Sequence, residues 1–525
     1  MSMNWLSRLP VAGCVHFWPN GERTLFRRLF TVKSRNRARF ARILQARGSS
    51  SRTRLPPVEV GSRQLSPHIE RHDLLVFLGE KTVKHLAFLL GLAFVLGSAG
   101  CGDDVPPVPA IRTDVLHCDI GDAECQGRIY DSVAAMLGLE GIQRPSIRTI
   151  SVDQHAQEVR SGLNLEDLTG EDATTRGLRL MGFIPAASES LTETQVEYWI
   201  NAIAAYYSHG SRSITVIDRD YDELEGQVIL AHEFTHAIQD IQFDLDAVGA
   251  DADTEDGVMG VRSVIEGDAT HTSFAWVYEE LGYLPEEIDW DAIHKERTDN
   301  ARANAGDPEV ALIDSASSFP YAYGFDFMTA LTLSGGLSGR AAAFELPPTT
   351  AVEVMAGYGA EPPALDFPEA AHPSPVQGYA TEVENRFGAW YVYGFLRRGG
   401  MPDDGAWTAA LSWLGDELAI YDDGSEVVAT WRVRFDDALN AGVLRDRVNA
   451  DSREVAWSAV LHEGDVFVFA AETDEALLAW AAQPLDSMAA SLVPKSERRG
   501  GGAVSAGNCT QSRHLSVPNP PPLLH

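Results

Sequence analysis

Two histidines four residues apart, with a glutamate directly after the first, stand in the segment His232-Glu233-Phe234-Thr235-His236. On a helix the two imidazoles leave one face about 6 Å apart and can share a single zinc ion. Glu233 is rotated aside from that face, so it is poorly placed as a third ligand but can reach a water held by the metal. Zinc lowers the pKa of such a water toward ~7, and a neighbouring carboxylate can take its proton as the oxygen attacks a carbonyl carbon. The expected chemistry is hydrolysis, with His232 and His236 as metal ligands and Glu233 as general base.

A catalytic zinc ion takes three protein ligands and leaves a fourth position open. The candidate for the third is Glu266, in the apolar run Val264-Ile265-Glu266-Gly267-Asp268-Ala269. A carboxylate on an apolar helix face is costly unless it is paired or metal-bound. Gly267 and Ala269 are expected to let this helix approach the histidine helix closely. Asp268 and Asp240 are expected to accept hydrogen bonds from the outer imidazole nitrogens and so fix tautomer and ring orientation. Tyr321, in Phe319-Pro-Tyr-Ala-Tyr-Gly324, offers a phenol that could stabilise an oxyanion near the metal; His209, His271 and His372 are other side chains of suitable type.

His232-Glu-Phe-Thr-His-Ala-Ile-Gln-Asp240 resembles the thermolysin helix, including the Asp four residues after the second His. Glu266-Gly-Asp-Ala resembles the Glu-Gly-x-Ala segment that supplies the Glu ligand in aminopeptidase N-like enzymes. Together they imply a gluzincin-type zinc metallopeptidase, with two His ligands, one Glu ligand and one catalytic Glu. More closely, the chain resembles a largely uncharacterised family of bacterial secreted proteins and lipoproteins that carries HExTHAxQDQ, an EGDA segment and a later PYxxG. The likeness runs from about Tyr206 to Trp480. Ile241 replaces the family's second Gln, and an acidic insertion lengthens the spacing from His236 to Glu266 beyond that of thermolysin.

These residues need particular elements to hold them. Asp222–Phe243 and Val258–Leu281 read as long helices, and Arg212–Asp218 alternates like a strand ahead of the first. Pro347-Pro348-Thr349-Thr350 opens another helix with Thr as N-cap, and Asn385–Arg398 is an aromatic, amphipathic segment. Hairpins are expected around Asp422-Asp423-Gly424 and around His462-Glu463-Gly464-Asp465. The acidic stretch Asp251–Gly257 fails the EF-hand template, since Arg262 stands where the bidentate Glu belongs, and reads as a solvated loop. The fold class expected is α+β and zincin-like, mainly helical, with a small edge-strand sheet beside the active-site helix and short C-terminal β-hairpins.

Charge is unevenly distributed along the 525 residues. Residues 1–80 hold 14 of the 42 Lys+Arg and 5 of the 75 Asp+Glu, leaving 28 basic against 70 acidic residues in the remainder. So acidic a body repels nucleic acid and anionic lipid headgroups. Lys81 and Lys84 precede the apolar run Leu86–Leu96 and the small residues Gly97-Ser-Ala-Gly-Cys101, the layout of a signal peptide followed by a lipidated cysteine. The run is shorter than the ~20 residues of a membrane-spanning helix. The expected organisation is a disordered extension at 1–80 from a start assigned too early, a signal peptide at 81–100, and a tether at 101–112. A zincin core at 113–282, a C-terminal subdomain at 283–490 and a disordered tail at 491–525 follow. Cys118 and Cys125 are spaced for a small disulfide in an oxidising compartment.

The expectation is an exported cell-envelope lipoprotein that acts on a peptide or protein substrate. It would meet the membrane only through Cys101 and would not bind nucleic acid. Two alternatives stand beside it: a catalytically inactive zincin-fold surface or binding protein, and a zinc hydrolase of a non-peptide substrate.

Overall fold

The computed structural model describes residues 13–17, 118–162, 172–186, 196, 199–221, 223–361, 376–450, 456–462 and 464–483. Its centre is a pair of long helices. The first, α4 (Glu223–Phe243), follows α1 (Ala123–Met136), α2 (Val152–Gly162) and α3 (Ala173–Leu180). The second is α5 (Glu255–Glu280). Residues 225–239 of α4 are buried without interruption. A helix buried on all sides needs neighbours on all sides, and α4 packs against α1, α5 and the strand β3 (Ile203–Ser208). α5 starts one residue after Thr254, whose hydroxyl caps the Gly257 amide at 3.1 Å.

Two sheets flank this pair. One has the order β1-β3-β4-β2, where β1 is Gly13–Phe17, β2 is Ser146–Ser151 and β4 is Ser213–Asp218. β3 and β4 run antiparallel, whereas β2 and β4 run parallel. β1 lies antiparallel on the outer edge of β3. The Gly-Cys-Val-His-Phe run of β1 has strand propensity, and β3 presents an edge to pair with. Cys101, the signal-peptide segment, the tether, His372 and the tail at 491–525 lie outside the described residues.

The C-terminal hairpins form as expected but do not stay separate. β6 (Trp413–Asp422) pairs with β7 (Val427–Phe435), and β8 (Ala456–His462) with β9 (Asp465–Ala471). β7 then pairs with β9, and β5 (Ala380–Asn385) adds to β6, so a single antiparallel sheet of order β5-β6-β7-β9-β8 results. Alternate residues of β7 (Val427, Ala429, Trp431, Val433) enter the main core with Leu178 of α3, Phe183 just after it and Met259 from α5. The described residues from 118 to 483 belong to one compact unit.

Between α5 and β5 the chain forms α6 (Trp290–Gly306), α7 (Leu312–Phe319), a π-turn over Pro320–Gly324, α8 (Phe325–Glu345) and α9 (Ala351–Ala356). α8 is broken at Gly336, which has φ 59° and ψ −150°. Downstream of β5 come α10 (Ala389–Arg398), α11 (Asp403–Leu411), α12 (Ala438–Ala450) and α13 (Asp474–Ala481). Among the described residues no helix is long and apolar enough to cross a membrane. Cys118 and Cys125 are joined by a disulfide, with Cα atoms 5.5 Å apart.

The acidic stretch is a solvated loop only as far as Thr254, with Asp251 and Asp253 exposed; Glu255 and Asp256 already belong to α5. Glu255 and Asp256 are buried, because the N-terminus of α5 docks on the segment leading into α10. Asn385 Oδ1 accepts the Glu255 amide, while Asp256 Oδ1 accepts the Ala351 amide at 2.9 Å. A Cβ at position 388 would fall 1.9 Å from Asp256 Oδ1, so Gly388, with φ 87°, is the residue type that this docking permits.

Candidate metal centre

His232 and His236 leave α4 on adjacent turns and point their Nε2 atoms at one another, 2.9 Å apart. Glu266 comes from α5 and places Oε2 3.3 Å from His232 Nε2 and 3.4 Å from His236 Nε2. The three side chains form a triad able to hold a metal ion. Ligands bound tetrahedrally at ~2.0 Å lie about 3.3 Å from one another, which is close to all three observed separations. The donor set, two imidazoles and one carboxylate, suits a small divalent cation of the first transition row or zinc.

Burial sets the charge state of each group. His232 is pushed down to about 4 by desolvation, so the ring is neutral and able to donate a lone pair. Burial alone would raise the Glu266 carboxyl, but hydrogen bonds with His232 and His236 outweigh it and hold the group ionised well below the usual range. Glu233 sits among these residues with no side-chain exposure. Burial, and then the Glu266 charge, push it well above the usual carboxylate range, against a smaller pull from the Tyr207 main chain. Neither Glu233 oxygen has a partner of good hydrogen-bond geometry among the described residues. A buried carboxyl in that state is a cost that a polar occupant of the centre would relieve.

Tyr321 reaches the centre by way of the π-turn. Its ring lies over that of His232, with centroids 6.1 Å apart and planes 26° from parallel. A single π-turn offsets the side-chain register from that of an α-helix, and such turns occur often at functional sites. Arg297 of α6 donates to the Tyr321 carbonyl at 3.3 Å, and its guanidinium lies over the Phe274 and Phe325 rings. Arg262, one turn before Glu266, places Nη2 3.6 Å from Glu266 Oε1.

Three expectations need correcting. Asp240 does not meet an imidazole of the pair: its Oδ2 accepts the Tyr207 hydroxyl at 2.9 Å, because β3 packs across that side of α4. Nδ1 of His236 bonds instead to Gln239 Oε1 at 2.8 Å. Gln239 stands three residues on, and its longer side chain folds back along the helix to reach the ring. Asp268 lies one link further out, where it accepts Gln239 Nε2 at 2.7 Å and Arg340 Nε at 2.8 Å. Gly267 serves a different contact from the one expected. A Cβ there would fall 2.2 Å from the Gly324 carbonyl oxygen, so it admits the π-turn rather than α4. With about 100° of rotation per residue, Gly267 cannot share the face of Glu266.

Two of the alternative histidines are engaged elsewhere. His271 Nδ1 and His294 Nε2 both bond the Thr329 hydroxyl, at 3.0 and 3.2 Å. His209 lies between Asp240 and Asp246. Gln239 and Arg340 were missed by the sequence reading. The available signals were a polar residue at i+3 from His236 within an uncharged run, and a lone Arg in the small, apolar segment Leu337–Phe344.

No protein-family description, curated protein or solved structure matches this chain.

Proposed function

We propose that the protein is a zinc-dependent hydrolase of the metallopeptidase type with the gluzincin ligand pattern. Its ligands are His232, His236 and Glu266. The observation that carries this reading is the convergence of three buried donor atoms at separations of 2.9 to 3.4 Å, with the buried Glu233 carboxyl close by. When bound, zinc supplies a Lewis acid that makes a water acidic near neutral pH. Glu233 is the base that takes the proton from the attacking water and hands it to the leaving amine. A bound dication would oppose the burial and the Glu266 charge that raise this carboxyl, and so would favour the ionised form that accepts a proton. Tyr321 is the donor aimed at the developing oxyanion. In the same reading the chain is exported and tethered through a lipidated Cys101.

The test is zinc content together with hydrolysis of a peptide library by the wild type and Glu233→Gln. We expect about one zinc per chain in both proteins. Hydrolysis should fall roughly 10³-fold in the variant. Undiminished hydrolysis by Glu233→Gln would overturn the mechanism.

A second reading, hydrolysis of a small non-peptide substrate, is favoured by two observations. His232, Glu233 and His236 have no exposed surface, and the β3 edge beside the centre is paired with β1 rather than open to an extended peptide. Turnover of small esters or amides in the absence of any peptide cleavage would select it.

A further inference from the structure

We propose that Gln239 is a positioning residue for the metal centre, and that Arg340 fixes it there through Asp268. This inference rests on the metal-binding part of the proposed function and is independent of which bond is hydrolysed.

The Gln239 amide has one orientation open to it. Nε2 lies 2.7 Å from Asp268 Oδ2 and 3.0 Å from the Ile265 carbonyl, both of which only accept hydrogen bonds, so the nitrogen must face them. The amide oxygen therefore faces His236 Nδ1, and an amide oxygen can only accept. Nδ1 must carry a proton, which leaves Nε2, facing Glu266 Oε2 and His232 Nε2, as the ring nitrogen available to a metal. The metal-binding tautomer is thus selected by protein groups alone.

The residue type matters. A carboxylate at position 239 could accept from the imidazole but would oppose Asp268, and an apolar side chain could do neither. Asp268 has no exposed surface, and a buried carboxylate without a counter-charge is strongly unfavourable. Arg340 supplies that charge, donating Nε to both Asp268 oxygens at 2.8 and 2.9 Å. Nη1 donates to Gln242 Oε1 at 2.6 Å, and the guanidinium lies over the Phe243 and Phe344 rings, so it is held on several sides. Arg340 lies beyond the Gly336 break, and the direction that α8 takes after Gly336 delivers the guanidinium to Asp268. One hydrogen-bonded path therefore joins α8, α5 and α4 and ends on a ligand.

The experiment measures zinc affinity of the full chain by competition with a chromophoric chelator, and the visible absorption of the cobalt(II)-loaded protein. Gln239→Met, an unbranched replacement of similar length, should weaken zinc binding by about 10- to 100-fold and alter the cobalt(II) bands. Arg340→Met should act in the same direction, with Arg340→Lys recovering most of the affinity because it keeps a charge on Asp268. Wild-type affinity together with an unchanged cobalt(II) spectrum in Gln239→Met would overturn the proposal. If Gln239→Met does not fold, the Arg340 pair decides: equal zinc affinity in Arg340→Met and wild type overturns it. Zinc binding that shifts as expected in a protein that hydrolyses nothing would sink the hydrolase reading and leave this one intact. A wild type that binds no zinc would sink both.

Discussion

The Tyr321 ring lies over the His232 imidazole, 6.1 Å between centroids, although the two stand 89 positions apart in the chain. That relationship puts a phenol beside the centre without making it a ligand. Tyr321→Phe should retain the bound metal, since no donor atom is lost, and should lower turnover by about 10²-fold or more if the hydroxyl stabilises an oxyanion. Metal analysis paired with steady-state kinetics checks this. Wild-type turnover in the variant would reduce Tyr321 to a packing role.

Loading the centre should stabilise the fold, because the three ligands converge only in the native state. Free zinc at ~1,000 times its dissociation constant adds about 4 kcal/mol to the unfolding free energy. Denaturant titration with zinc and with a chelator measures the difference. Glu266→Ala should abolish it, and a zinc-induced rise that survives this substitution would remove Glu266 from the ligand set.

The contact between Gly267 and Gly324 is main chain against main chain. A methyl group at position 267 would meet the Gly324 carbonyl oxygen at 2.2 Å, which neither backbone can relieve by a rotamer change. Gly267→Ala should therefore cost about 3 kcal/mol or more. It should also push Tyr321 off the centre and displace Glu266, its neighbour in sequence, so a lower melting temperature should come with weaker zinc binding. A variant as stable as wild type would contradict the packing described.

Asp256 gives a pH dependence of definite sign. Burial is the main cause that raises its folded-state pKa to about 8, with Asp416 and Glu353 adding to it and the Ala351 amide and Arg386 opposing it. An unfolded Asp titrates near ~3.9. The stabilising contribution of the protonated form is therefore complete below pH ~4 and is lost as pH rises through ~8, by up to a few kcal/mol. Asp256→Asn should flatten the stability profile across that window. The measurement is chemical denaturation at pH ~5 and ~8.5; a wild type equally stable at both would refute it.

Much of the centre was legible in the order of residues because its decisive spacing is local. Two imidazoles four apart share a helix face whatever surrounds them, and a disulfide across seven residues closes with little help from the rest of the fold. Glu266 could be singled out among 75 acidic residues because a lone carboxylate on an apolar helix face implies a partner. Hairpin positions followed from turn chemistry, which is likewise local.

What the tertiary structure decided concerns groups far apart in the chain, whose meeting depends on how helices cross and which edges pair. It gave His236 to Gln239 rather than Asp240, because β3 brings Tyr207 to the aspartate first. It turned Gly267 toward the π-turn, buried Glu255 and Asp256 against the segment leading into α10, and merged two hairpins into one sheet. Residue spacing fixes the direction of a side chain relative to its own helix; only the packed arrangement fixes what lies in that direction.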